Sequence, residues 1–132
     1  MPNPKDSPKK SRKRTPDWRP AQEVLICPLA DLPQDSARGF TLDGPQNERL
    51  EIIVWHRDGA VLGFVNQCPH LGLPLETFPD RFLSADGTHL ICSAHGAQFD
   101  PTGHCFAGPC KGDGLMRLDI GLRDGAVYLN AP

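Results

Sequence analysis

Apolar and polar residues alternate with a period of two in short runs along most of this chain, and no stretch longer than about ten residues carries apolar positions at helical spacing. The runs predict strands over 23–28, 38–42, 50–57, 60–66, 81–84, 88–92, 97–100, 104–107, 115–122 and 126–130. Four Asp-Gly pairs punctuate them: Asp58-Gly59, Asp86-Gly87, Asp113-Gly114 and Asp124-Gly125. Asp-Gly tolerates the positive φ of tight hairpin turns, so at least three of these are expected to close antiparallel pairs. The pattern describes an all-β domain of small stacked antiparallel sheets.

At 132 residues and 39% hydrophobic content, the chain has room for one domain with a modest core and none for a large second catalytic domain. No apolar run approaches the ~18 residues of a spanning helix, so a soluble protein with no membrane partner is expected. The net charge of −2 conceals an uneven distribution. Residues 1–20 hold seven basic and two acidic side chains, +5, which leaves seven basic and fourteen acidic in the remainder, −7. We read 1–20, rich in Pro, Lys, Arg and Ser, as a disordered basic tail ahead of a domain over 21–132. The run Lys9-Lys10-Ser11-Arg12-Lys13-Arg14 is followed by no apolar segment, which argues against an export signal. The acidic remainder disfavours nucleic acid and favours a basic docking face.

Chemistry concentrates in two short stretches. Cys68-Pro69-His70 and Cys92-Ser93-Ala94-His95 set a Cys-x-His pair and a Cys-x-x-His pair 21 residues apart. They fall directly after the apolar stretches ending at Gln67 and Ile91, so each would be a loop offering one thiolate and one imidazole from a strand end. Two mixed loops suit a [2Fe–2S] cluster with two sulfurs on one iron and two histidines on the other. Zinc also accepts two Cys and two His, but its fingers normally pair like ligands within a loop. Zinc and a domain that no longer holds metal are the alternatives. Cys27, Cys105 and Cys110 are left over, an odd number that argues against a disulfide framework and for a reducing cytoplasm. Cys105 and Cys110, four residues between them, could in principle pair or act as spare ligands; ordinary packing is the expectation. His56, His89 and His104 are expected to be structural or solvent-exposed.

The chain resembles the Rieske ferredoxin family. Cys68-Pro69-His70-Leu71-Gly72 and Cys92-Ser93-Ala94-His95-Gly96 match the two family boxes, and Phe99-Asp100, Thr102-Gly103 and Gly108-Pro109 follow in family order over roughly residues 22–130. The resemblance implies a three-sheet Rieske fold with a cluster-binding subdomain over about 68–100, and one [2Fe–2S] cluster. It also implies that Cys68 and Cys92 hold the inner iron and His70 and His95 the outer one. Gly72 and Gly96 are expected to let the backbone approach the cluster and point amides at its sulfurs. Leu71, Leu73, Pro74 and Pro109 are expected to ring the imidazoles, and a residue near Cys110 to pack against the cluster loop.

Respiratory members carry a further Cys in each box and hydroxyls near the cluster; here those places hold Leu73, Ala94, Ala97 and Phe99, which implies a low-potential branch. The implied function is that of an electron carrier, not an enzyme, moving single electrons between a reductase and a terminal oxygenase or related enzyme as a monomer or weak oligomer. The alternatives are a small non-catalytic subunit of a redox complex such as a nitrite reductase, and an iron–sulfur sensor whose basic tail touches nucleic acid.

Overall fold

The computed structural model describes residues 18–69 and 72–131. These form ten strands: β1 (Val24–Pro28), β2 (Ser36–Asp43), β3 (Arg49–Arg57), β4 (Ala60–Val65), β5 (Leu90–Ile91), β6 (Gln98–Phe99), β7 (Cys105–Ala107), β8 (Arg117–Leu118), β9 (Ile120–Arg123) and β10 (Ala126–Leu129). Three sheets result, ordered β1-β10-β9, β2-β3-β4-β8 and β5-β6-β7, with every pairing antiparallel. The only helical element among the described residues is a 3-10 turn at Leu29–Asp31. The all-β three-sheet expectation therefore holds. The basic run of the tail lies outside the described residues, but Trp18 packs on the core.

Two Asp-Gly pairs close two-residue hairpins. Asp58 (φ 53°) and Gly59 (φ 78°) turn β3 into β4, and Asp124 (φ 52°) and Gly125 (φ 73°) turn β9 into β10, both residues taking the positive φ that such a turn needs. Asp86-Gly87 turns a minimal pair, the single bridge Leu83–Leu90, and 81–84 is not a strand beyond that bridge. Asp113-Gly114 turns no strand pair; Gly114 instead bridges His104.

The predicted strand 115–122 divides at Asp119, with β8 joining the second sheet beside β4 and β9 joining the first. Gly63 in β4 makes that crossing possible, since a side chain there would collide with Ile120.

The central strand explains the continuous apolar run Ile52-Ile53-Val54-Trp55. Leu50, Ile52 and Val54 face one core with Leu32, Val65 and Val127, while Ile53 and Trp55 face another with Phe64, Phe82, Leu90 and Phe99. Alternate side chains of a strand point to opposite faces, so a strand covered on both sides loses its polar positions. The second core also contains Cys68, Cys92, Cys105 and Cys110. The third sheet falls, in chain order, between β4 and β8, which pair directly with each other. Both Cys-His stretches thus leave a single rigid sheet pair as an excursion: the first just beyond the end of β4, the second directly after β5.

Candidate metal centre

The two boxes fold into the same turn. Cys68 N–H donates to the Leu73 carbonyl (2.7 Å) and Gly72 N–H to the Cys68 carbonyl (2.7 Å). In the second box Cys92 N–H donates to the Ala97 carbonyl (2.8 Å) and Gly96 N–H to the Cys92 carbonyl (2.9 Å). Each turn reverses through a glycine four residues after its cysteine, at φ 75° for Gly72 and 77° for Gly96, a conformation that a side chain disfavours. Both glycine amides donate within their turns, and the positive φ is what requires glycine there, a tight-turn role compatible with the expected approach of backbone to a cluster.

Side chains and backbone lock the turns to each other. Ser93 N–H donates to the Leu75 carbonyl (2.7 Å), joining the second box to the end of the first. Asn66, the buried polar residue of the core, accepts from Leu75 N–H at Oδ1 (2.8 Å) and donates from Nδ2 to Glu76 (2.9 Å). A third segment closes over both. Gly108 (φ 97°) lies so near the second turn that a Cβ would stand 2.7 Å from the Ala97 Cα, and Cys110 follows it into the same buried core as Cys68 and Cys92. The Asp100-Pro101-Thr102-Gly103 turn feeds this segment, with the Asp100 carboxylate accepting from Thr102 N–H (2.8 Å), Thr102 Oγ1 (2.5 Å) and His104 N–H (3.2 Å).

The side chains sort by depth. Cys68 and Cys92 are each 2% exposed, whereas His95 is exposed at the outer end of its turn. Leu73, Pro74 and Pro109 are exposed as the expected rim requires, and Ala97 and Phe99 are fully buried beneath the second box. His70 and Leu71 lie outside the described residues. The remaining histidines have other partners: His56 Nδ1 bonds the Leu32 carbonyl (2.8 Å), His89 meets Thr88 Oγ1 (3.0 Å) and the edge of Phe106, and His104 sits in the bridge to Gly114.

Asn66 escaped the sequence reasoning as a part of the site, although its signal was present: a polar residue ending an apolar run two positions before a ligand. No disulfide joins any of the five cysteines. Burial first, then a hydrogen bond with Cys105 and the charges of Cys105 and Cys68, push the Cys110 thiol above its ordinary range. Buried thiols and an outward imidazole on matched turns fit the unequal ligation of a Rieske cluster better than a site that treats four ligands alike.

Comparison with known proteins agrees. No curated protein matches the chain. The fold matches the ferredoxin of carbazole 1,9a-dioxygenase from Nocardioides aromaticivorans IC177 (TM-score 0.67, 22% identity, 84% of this chain and 99% of that one). It also matches the Sphingomonas yanoikuyae B1 ferredoxin (0.60, 26%, 84% and 100%). A third match is to a chain in the complex of reduced oxygenase and oxidized ferredoxin in carbazole 1,9a-dioxygenase (0.66, 19%, 85% and 95%). The Rieske [2Fe-2S] domain profile covers residues 22–120. With matched turns, buried cysteines and that profile in accord, this chain belongs to the Rieske [2Fe-2S] domain family and is an electron-transfer protein with one [2Fe–2S] cluster.

Proposed function

We propose that this protein is a one-electron ferredoxin that carries electrons between a reductase and a terminal oxygenase or related redox enzyme. The single observation behind this reading is the polarity of the paired turns, thiols inward and His95 outward. Bound there, the cluster supplies a reversible one-electron couple. Cys68 and Cys92 would hold its inner iron, and His70 and His95 the outer one. The twin turns fix the cysteine backbones through hydrogen bonds that do not involve the metal, so the ligands are pre-positioned and need little rearrangement when the charge changes. Leu73, Pro74 and Pro109 are exposed and would ring the outward edge with apolar surface, which would exclude water and give a small contact suited to brief docking.

An oxygenase partner is supported by the likeness to a chain in a complex of oxygenase and ferredoxin, and five cysteines without a disulfide support a reducing cytoplasm. The test is chemical analysis with electron paramagnetic resonance of the purified chain. The reading requires two irons and two acid-labile sulfides per chain and, on reduction, the anisotropic low-average-g signal of a mixed His/Cys cluster. Stoichiometric zinc without sulfide after anaerobic expression would overturn it. Inseparable co-purification with one large enzyme would replace the carrier by a fixed subunit.

A further inference from the structure

Acidic charge collects on one face of the β2–β3 hairpin, beside the first box. Antiparallel pairing sets Thr41 opposite Glu51 and Asp43 opposite Arg49, so Gly39, Thr41, Asp43, Arg49 and Glu51 share a face. The segment after the box packs on that face: a Cβ at Gly39 would stand 3.5 Å from Glu76 Oε2, and Gly39 N–H donates to Asp80 Oδ1 (2.9 Å). Between them runs a groove of about 510 Å³, lined by Thr41, Glu51, Asn66, Pro74, Glu76 and Asp80 among others. It shares Asn66 with the support of the first turn and Pro74 with the exposed rim. Asp43 adds a carboxylate to the same face, and Glu48 another at the hairpin tip. Arg38 faces Asp80 (3.8 Å), and Arg49 lies between Asp43 (3.6 Å) and Glu51 (4.0 Å). With side chains 41% and 64% exposed, these guanidiniums are loosely held and exchange readily for other cations. Two of them cannot balance five carboxylates.

The opposite charge belongs to the same chain and enters at the same end of the sheet. Trp18, the first described residue, packs at the hairpin tip: a Cβ at Gly44 would stand 2.8 Å from its ring and 2.8 Å from the Glu48 Cβ. Arg19 Nη2 donates to Met116 Sδ (2.7 Å), and the Met116 carbonyl accepts from Val65 N–H (2.8 Å), three positions before Cys68. Residues 1–17 hold Lys5, Lys9, Lys10, Arg12, Lys13 and Arg14 against Asp6 and Asp17. Arg14 is four positions from Trp18 and Lys9 nine, spans of up to about 14 and 31 Å. A tether that short gives an effective concentration on the order of millimolar, so weak individual contacts suffice.

We propose that the basic run 9–14 folds back along this acidic groove and occupies the ground on which a partner's basic face would land. The run Lys9-Lys10-Ser11-Arg12-Lys13-Arg14 carries five cations, enough to meet the carboxylates that Arg38 and Arg49 leave over. A partner must displace it, so the tail slows association without touching the cluster. The competition rests on the carrier reading above; the contact between tail and groove does not.

Zero-length crosslinking of the cluster-loaded full chain tests the contact, because a carbodiimide joins an amine to a carboxylate only where the two touch. Light and heavy-isotope chains are mixed at low concentration, and the linked peptides are read by mass spectrometry. Links from Lys9, Lys10 or Lys13 to Glu51, Glu76 or Asp80 of the same chain should dominate at about 0.01 M salt. They should fall several-fold at about 1 M, where the screening length shrinks from about 30 to 3 Å. Arg12→Gln with Arg14→Gln should weaken them at low salt. Links between heavy and light chains, equal yields at Asp58 or Asp124 in the turns of other hairpins, or no links at all would overturn the proposal. Electron transfer from the reduced chain to cytochrome c, a basic haem protein, tests the competition. The Arg12→Gln, Arg14→Gln chain should react about two- to fivefold faster than a chain of equal net charge carrying Arg117→Gln and Arg123→Gln. Equal rates would overturn the competition. A chain without the Rieske signal would refute the carrier reading instead, and the crosslinks would still decide the contact.

Discussion

His95 and His104 carry the same side chain on successive turns of the third sheet, yet only His95 stands on a turn that also carries a buried cysteine. Replacing His70 or His95 by Ala should remove a ligand from the outer iron and abolish the Rieske spectrum, while His56→Ala, His89→Ala and His104→Ala should preserve it. Visible absorption and electron paramagnetic resonance of the five variants check this, and loss of the cluster in His104→Ala would break the ligand set. The same scale sets the potential. Ala97 and Phe99 are fully buried beside the second box with no hydroxyl to offer, so the added charge of the reduced state is weakly compensated. The midpoint should lie near the low end of the Rieske range, roughly −150 mV and below about 0 mV. Ala97→Ser and Phe99→Tyr should each raise it by tens of millivolts, against ~59 mV for ~1.4 kcal/mol in a one-electron couple. A wild-type midpoint at the high end would contradict the low-potential assignment.

Among the elements, the twin turns depend on a residue outside both of them. Asn66 directly follows β4 and holds Leu75 N–H, and Leu75 in turn receives Ser93 N–H, so one amide connects the strand, the first box and the second. Asn66→Ala should leave the buried Leu75 N–H without its acceptor, at a cost of about 1–3 kcal/mol. Thermal unfolding should show a lowered Tm, with the cluster's visible colour bleaching at a lower temperature than in wild type. An unchanged Tm would mean that the turns hold without Asn66. Elements also mark where sequence reading stopped short. The box turns were expected as loops, but not that they are copies, because His occupies the third position of one and the fourth of the other. The equivalence resides in backbone hydrogen bonds and in the glycine φ, neither of which the side-chain pattern displays.

At the scale of the molecule, the acidic balance of residues 21–132, −7, makes the folded part a negative body against which a basic docking face would be steered. The association rate with a reductase or oxygenase partner should fall as ionic strength rises from about 0.01 to 0.15 M, where the screening length shrinks from about 30 to 8 Å. Stopped-flow electron transfer at varied salt measures this; a rate that does not change with salt would leave docking to the apolar rim alone.

What the sequence determined by itself is local. Period-two runs, Asp-Gly at two hairpins and the paired Cys-His boxes are short-range signals, since a strand's alternation, a turn's φ and a ligand's chemistry are properties of a few neighbouring residues. Tertiary structure decided the rest. Only packing could split 115–122 between two sheets, because the bare Gly63 that admits Ile120 lies on a distant strand. Only packing could set Gly108 against Ala97 and bring Cys110 into one core with Cys68, forty-two positions away in the chain. Contacts of that kind depend on three segments closing around one core, and no local pattern encodes a distance across it.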